Sequence, residues 1–499
     1  MTKQHILIII IAVICSFAGY MLINNIAHSP AHKGAQNTAP QKQASLRKEK
    51  AFNAESFTLE NGMRVVLIEN HRAPIVSHMM WYNIGAADED WGNSGLAHFF
   101  EHLMFKGTDT LEPGEYSRTV RALGGNDNAF TSQDYTAYFV NIARENLEKI
   151  MRMEADRMVN LNIPEDHFLS ERNVILEERA QRTDTNPAAR MLETMRANLF
   201  PNHPYGIPVI GWREEIAALQ HHEAMDFYHK WYAPNNATLV VAGAISRPEL
   251  ENLAQSIYGA ISAKPEVIRP EYSAPVLPGD KLVSYEDAQV QQPQFIRLCR
   301  APSYNTDKAA ALALDIAANI LDGGSATRLY KAIVSEKKMA SAVSLSYSGS
   351  SRDESTLALS ATPREGISLD AIASALDDEL AHYISTPPST AEIREAKDRL
   401  IDSAVFARDS LQSPAYIFGQ ALSTGLTMDD VEYWTYDIEQ VSEDAVRSAI
   451  KHLMTPELCV SGRLLPKGGD PALITVKQPI PVDITPAQQA APENGGSDE

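Results

Sequence analysis

Leu96-Ala97-His98-Phe99-Phe100-Glu101-His102-Leu103-Met104-Phe105, preceded by Asn93-Ser94-Gly95 and closed by Lys106-Gly107, is the segment from which the rest of this 499-residue chain is read. Its flanks predict a capped helix of about three turns. Every face is apolar except one stripe, because His98, Glu101 and His102 sit three and four residues apart and project together. A helix that is greasy all round is buried, and burying two imidazoles and a carboxylate without partners is costly. A metal ion would supply the partner, and two His one turn apart suit zinc. Hydrogen-bonded core or surface residues are the alternative, so the stripe needs a third ligand.

That ligand is sought in a second helix, opened by Pro164 with Glu165 and Asp166 in its first turn and running until Asn186-Pro187. At about 100° per residue, Glu171 and Glu178 share a face to within about 20°, whereas Glu177 points roughly 120° away from Glu171. If this face meets the His stripe, Glu178 can ligate the metal and Glu171 can orient a ligand or a bound water. A solvated acidic face is the other reading of the same residues.

Outward from these helices, the chain divides in two. Pro265, Pro270, Pro275 and Pro278 interrupt regular structure and mark a linker over 264–280. The two halves look alike. Tyr232-Ala233-Pro234 leads into the apolar strand Ala237–Gly243, and Leu453 to Gly462 repeats that pattern. The expectation is a tandem duplication of one α+β unit, each a mixed sheet covered by helices, over 53–263 and 281–468. Residues 469–499 turn Pro-, Gln- and Ala-rich and then acidic, as a disordered tail does.

Composition narrows the function. With 44 Lys and Arg against 64 Asp and Glu, the net charge is −20, and residues 51–470 alone hold −22. Nucleic-acid binding is disfavoured, since phosphates call for clustered basic side chains. Residues 6–23 carry no charge and follow Lys3. Residues 1–28 therefore read as a signal peptide or membrane anchor, and 29–52 as a flexible tether, so that membrane contact is through the N-terminal segment only. The body is then expected in a bacterial periplasm, anchored in the inner membrane or released after cleavage. Cys299 and Cys459, both in apparent strands, are expected to be small buried hydrophobes rather than a framework.

Taken together, these motifs resemble the pitrilysin/insulinase-type zinc metallopeptidases, whose inverted His-x-x-Glu-His is paired with a downstream Glu. Here Glu178 follows His102 by 76 residues, and Glu171-Arg172-Asn173-Val174-Ile175-Leu176-Glu177-Glu178 matches the family's Glu-Arg-x-Val-Ile-x-x-Glu. Asn128-Ala129-Phe130-Thr131 and His203-Pro204-Tyr205-Gly206 match further family segments. The resemblance implies a clamshell of two homologous domains, with one zinc ion held by His98, His102 and Glu178. It also implies Glu101 as general base for a zinc-bound water, with Glu171 assisting. Asn128, Ala129 and Phe130 would lie on the edge strand that pairs with an extended peptide, although ordinary strand packing also accounts for Ala129 and Phe130. The activity implied is hydrolysis of peptide bonds in peptides or unfolded polypeptides. A noncatalytic peptide-binding or scaffold member is the alternative.

The second half departs from the family's pattern. Aligning Gly107 with Gly324 puts Asp315, Ala318 and Asn319 where His98, Glu101 and His102 stand. An Arg/Tyr pair that many members carry there falls on Val334 and Ser341, and Arg328 and Tyr330 have the wrong spacing. A heterodimer with a related, zinc-less subunit that supplies the pair is therefore expected, with a homodimer as the other possibility.

Overall fold

The computed structural model describes residues 48–279 and 281–468. The apolar segment 6–23, most of the tether and the tail lie outside them. Among the described residues no helix is long and apolar enough to cross a membrane.

Two sheets organise the chain. The first comprises β1 (Glu55–Thr58), β2 (Arg64–Glu69), β3 (Ile75–Tyr82), β4 (Asn126–Thr131), β5 (Thr136–Ala143) and β6 (Ala237–Gly243), in the order β1-β2-β6-β3-β5-β4. The second comprises β7 (Lys281–Asp287), β8 (Gln294–Ala301), β9 (Ala340–Tyr347), β10 (Ser355–Pro363) and β11 (Cys459–Pro466), in the order β7-β11-β8-β10-β9. Without β1 the two orders are the same permutation. In each, the first and last strands of the unit run parallel and every other pair is antiparallel.

The helices that matter below are α1 (Leu96–Leu103), α2 (Leu147–Val159), α3 (Glu165–Arg179), α4 (Pro187–Leu199), α5 (Lys308–Leu321) and α6 (Ser413–Thr424). Residues 76–82 of β3 are buried throughout because both faces of its sheet are covered. Val76, Met80 and Tyr82 face a core shared with Phe99, Phe100 and Leu103 of α1. Met79 and Trp81 face the other way, onto Ala415, Phe418 and Leu422 of α6, which belongs to the second half. The reverse holds across the molecule. Met191, Met195 and Leu199 of α4 pack on Ile296 and Leu298 of β8 and Val460 of β11. Each half thus lends one helix to the outer face of the other's sheet.

Both exchanged helices meet a glycine contact at the crossing. A Cβ on Gly419 would lie 1.9 Å from Cε2 of Trp81, and one on Gly462 would lie 2.3 Å from the sulfur of Met195. The indole is rigid and wedged among Phe130, Tyr135 and Tyr416, whereas a thioether can swing aside. Gly419→Ala is therefore expected to destabilise the protein by about 2–3 kcal/mol, and Gly462→Ala by less than about 1.5 kcal/mol. Denaturant midpoints that shift equally for the two would refute this packing.

One expectation is corrected. Cys299 and Cys459 are disulfide-bonded. They stand directly opposite each other where β8 pairs with β11, 160 residues apart in sequence, so their proximity depends on a register that no local pattern encodes.

Candidate metal centre

Helix α1 is held at both ends by buried polar side chains from elsewhere. It starts after Gly95, whose φ of +94° places it in the left-handed region, and a Cβ there would meet the Ile210 carbonyl oxygen at 2.7 Å. The buried Glu89 carboxyl accepts from Gly95 N and Ala97 N, both at 2.8 Å, and so fills the cap that Asn93 and Ser94 were expected to form. Ser94 Oγ instead accepts from Trp212 N at 2.8 Å. Just past the other end, Arg157 donates to the Met104 carbonyl at 3.3 Å while stacked on the Tyr116 ring and paired with buried Glu154.

The stripe on α1 meets the acidic face of α3. His98, His102 and Glu178 bring one donor atom each to within 4.8 Å of one another, and among the described residues they form the one group of His, Cys, Asp and Glu arranged to hold a metal. Glu178 Oε2 lies 3.3 Å from His102 Nε2 and 3.7 Å from His98 Nε2. Donors bound tetrahedrally at about 2.0–2.2 Å stand roughly 3.3–3.6 Å apart, so Glu178 is already near the spacing zinc requires from each imidazole. Glu178 Oε2 is also buried with no hydrogen-bond partner. An orphaned carboxylate oxygen facing two imidazole nitrogens is the chemistry of a cation site, and the residues fit the ion.

Outer contacts fix the donors. His102 Nδ1 is 2.9 Å from Glu171 Oε1, which assigns a proton to Nδ1 and leaves Nε2 facing Glu178. Lys106 pairs with the other oxygen of Glu171, and Arg182 with Glu178 Oε1 at 2.5 Å. Burial, reinforced by neighbouring His102, lowers the His98 pKa to about 3. At His102 burial disfavours the charge, but the hydrogen bond to Glu171 and the negative charge of Glu178 outweigh it and raise the pKa to about 9. Glu178 is likewise held down at about 2: burial opposes ionisation, and His102, His98 and Arg182 overcome it. Glu177, on the turned-away face, accepts from Gln181 instead.

Glu101 stands apart from the donor trio. Its Oε2 accepts from Thr131 Oγ1 at 2.7 Å, and burial lifts its pKa above the ordinary value, with Thr131 pulling the other way. Thr131 ends β4, which pairs with β5 on one side and has no strand on the other among the described residues. Asn128 is exposed there, while Ala129 and Phe130 are buried, Phe130 among Trp81, Tyr135 and Tyr416. The side chain of Phe130 therefore belongs to the core, and only its backbone is part of the strand edge.

In the second half, α5 carries Asp315, Ala318 and Asn319. Asp315 is half-buried, its pKa raised to about 7 by desolvation, and accepts from Tyr304. Asn319 accepts from Arg399 at 2.8 Å. Val334 is buried in the π-helical turn Tyr330–Glu336, and Ser341 donates to the Thr362 carbonyl at 3.2 Å. The Arg328 guanidinium is taken by Glu392, at 2.8 and 3.0 Å.

Comparison with known proteins adds to this geometry. The family profile described as Insulinase (Peptidase family M16) matches residues 64–212, and that of the Peptidase M16 inactive domain matches residues 218–400. The chain is 30% identical over 290 residues to zinc protease PqqE of Helicobacter pylori, a match spanning 58% of this chain and 65% of that relative. The crystal structure of a protease from Helicobacter pylori superposes with a TM-score of 0.78 at 25% identity, covering 83% of this chain and 99% of that one. The periplasmic protease PqqL of Escherichia coli superposes with a TM-score of 0.69 at 18% identity, covering 86% of this chain and 48% of that one.

Proposed function

Because the chain belongs to the M16 (insulinase) peptidase family, we propose that it is a zinc-dependent metalloendopeptidase acting on peptides or unfolded polypeptide segments. The observation that carries this reading is the meeting of the His98, His102 and Glu178 donor trio with Glu101, itself tied to a free strand edge through Thr131. His98, His102 and Glu178 would hold zinc, which when bound would supply Lewis acidity toward a water and a carbonyl. Residues 128–131 pair with the extended substrate through main-chain hydrogen bonds, which places its scissile bond beside Glu101. Glu101 takes the proton of the attacking water and returns it to the leaving amine, its basicity increased by burial. Thr131 keeps one carboxylate oxygen occupied and so orients the other. Glu171 acts on His102 rather than on water, holding the ring in the tautomer that ligates.

Residues 334 and 341 favour a second element of the reading. Val334 and Ser341 offer no cation and no phenol, and Arg328 is committed to Glu392. We infer that a related, zinc-less subunit completes the site. The Cys299–Cys459 disulfide and the apolar segment 6–23 support an oxidising compartment outside the cytoplasm, the periplasm.

The test is cleavage of an unfolded polypeptide by the purified chain, alone and with its co-purifying subunit. The pair is expected to be active, silenced by a chelator and restored by zinc. Zinc bound at one per chain with no cleavage in either preparation would favour the noncatalytic, peptide-binding reading. Full turnover by the chain alone would remove the second subunit.

A further inference from the structure

Residues 261–279 have no regular structure and join the two halves. The charged side chain of Arg269 within them is nevertheless only 11% exposed. Arg269 forks onto Asp88, Nε to Oδ1 at 2.6 Å and Nη2 to Oδ2 at 2.5 Å, with only 1% of the Asp88 side chain exposed. The same guanidinium donates to the Asp134 carbonyl at 2.9 Å and to the Ser423 carbonyl, at the end of α6, at 3.4 Å. Its own carbonyl accepts from Arg352 of the second half at 2.9 Å. Arg352 N in turn donates to Asp134 Oδ2 at 3.1 Å. His203 and Tyr205 close the network from the first half, on Asp353 at 2.9 Å and on Asp134 at 2.7 Å.

The segments this network ties are those that carry the proposed chemistry. Asp88 immediately precedes Glu89, the cap of α1. Asp134 lies three residues after Thr131, in the turn that ends β4. The two are packed backbone to backbone, with Ala86 N and Ala87 N donating to the Ser132 and Gln133 carbonyls at 3.0 and 2.8 Å. A single fork from the linker thus fixes the approach to the metal helix, the turn beyond the peptide-binding edge, and the end of an exchanged helix. Serving a carboxylate and two carbonyls together needs the planar five-donor geometry of arginine.

We propose that Arg269 is a positioning residue, which sets the β4 edge against the second half and thereby the affinity for extended peptide, without contacting metal or substrate. This rests on the reading of β4 as the peptide-binding edge. Replacing Arg269 by Gln is expected to raise KM for an extended peptide by about tenfold, with kcat within about twofold of wild type. Zinc content should be unchanged, and amide exchange over residues 126–136 faster by about tenfold or more. Arg269→Lys should recover stability but not KM, since it restores charge without the fork. Because Arg269→Gln leaves buried Asp88 with only Arg352, 3.9 Å away, to balance its charge, the double variant Asp88→Asn with Arg269→Gln carries the test if the single one does not fold. It should recover thermal stability while exchange and KM stay altered. Exchange and KM that return to wild type along with stability, or that never change, would overturn the proposal. Exchange needs no turnover, so a wild-type chain that cleaves nothing would remove the peptidase reading and still leave the role of Arg269 decided.

Discussion

Glu101→Gln is expected to lower kcat by about 10³-fold or more, with zinc content and KM close to wild type. Gln matches Glu in shape, and its amide oxygen still accepts from Thr131 Oγ1, so the contact with the β4 edge survives. Glu101 is outside the donor trio, so the ion keeps its three ligands. What is lost is the ability to take a proton from water at neutral pH and return it. Cleavage by the variant at the wild-type rate would show that the hydrolysis seen belongs elsewhere, and loss of zinc together with activity would show that Glu101 helps to hold the ion.

The second large effect is on metal affinity. Glu178→Gln removes the single anionic donor, and should weaken zinc binding by more than the ~10–100-fold expected for Glu171→Gln, which removes only an outer partner. The pH dependence has a defined sign. The raised His102 pKa of about 9 means that without a metal the ring holds a proton below that pH, and zinc must displace it. The lowered values of His98, about 3, and Glu178, about 2, mean that neither competes for a proton near neutrality. Apparent affinity should therefore rise by about tenfold per pH unit between 6 and 9 and level off above 9, with one proton released per zinc. In Glu171→Gln the plateau should begin at lower pH, because the hydrogen bond that raises His102 is gone. Titration with a competing chelator across this range measures both, and a slope of zero or two would exclude this protonation scheme.

Local sequence carries the donors of the site and little of what fixes them. The His98, Glu101, His102 stripe is a matter of three- and four-residue spacing within one helix. Glu171 and Glu178 follow from the seven-residue repeat of α3 once a third ligand is sought. The contact of Thr131 with Glu101 could not be read in the same way, since it depends on how a hairpin lies over α1. Glu89 as the cap was hidden for a similar reason: the loop between it and Ala97 folds back, and the nearer Ser94, a better cap by residue type, is drawn away by Trp212. The duplication was legible in the repeated strand after Pro234 and after Pro456, and the strand orders agree. The disulfide and the crossing of α4 and α6 were not, because an amphipathic helix specifies an apolar face but not which sheet will receive it.

That crossing has a further consequence for how such a chain is built. Two copies of one unit, each lending a helix to the other, have the architecture of a domain-swapped dimer made permanent by fusion. Neither copy owns all of the layers that cover its sheet: the first would leave Trp81 and Met79 bare, and the second would leave Leu298 and Val460 bare. The irregular segment 261–279 therefore divides the sequence without dividing the fold. The unit of folding is the pair, so damage at the Gly419 crossing is felt by the half that holds His98, His102 and Glu178 as much as by the half that carries the glycine.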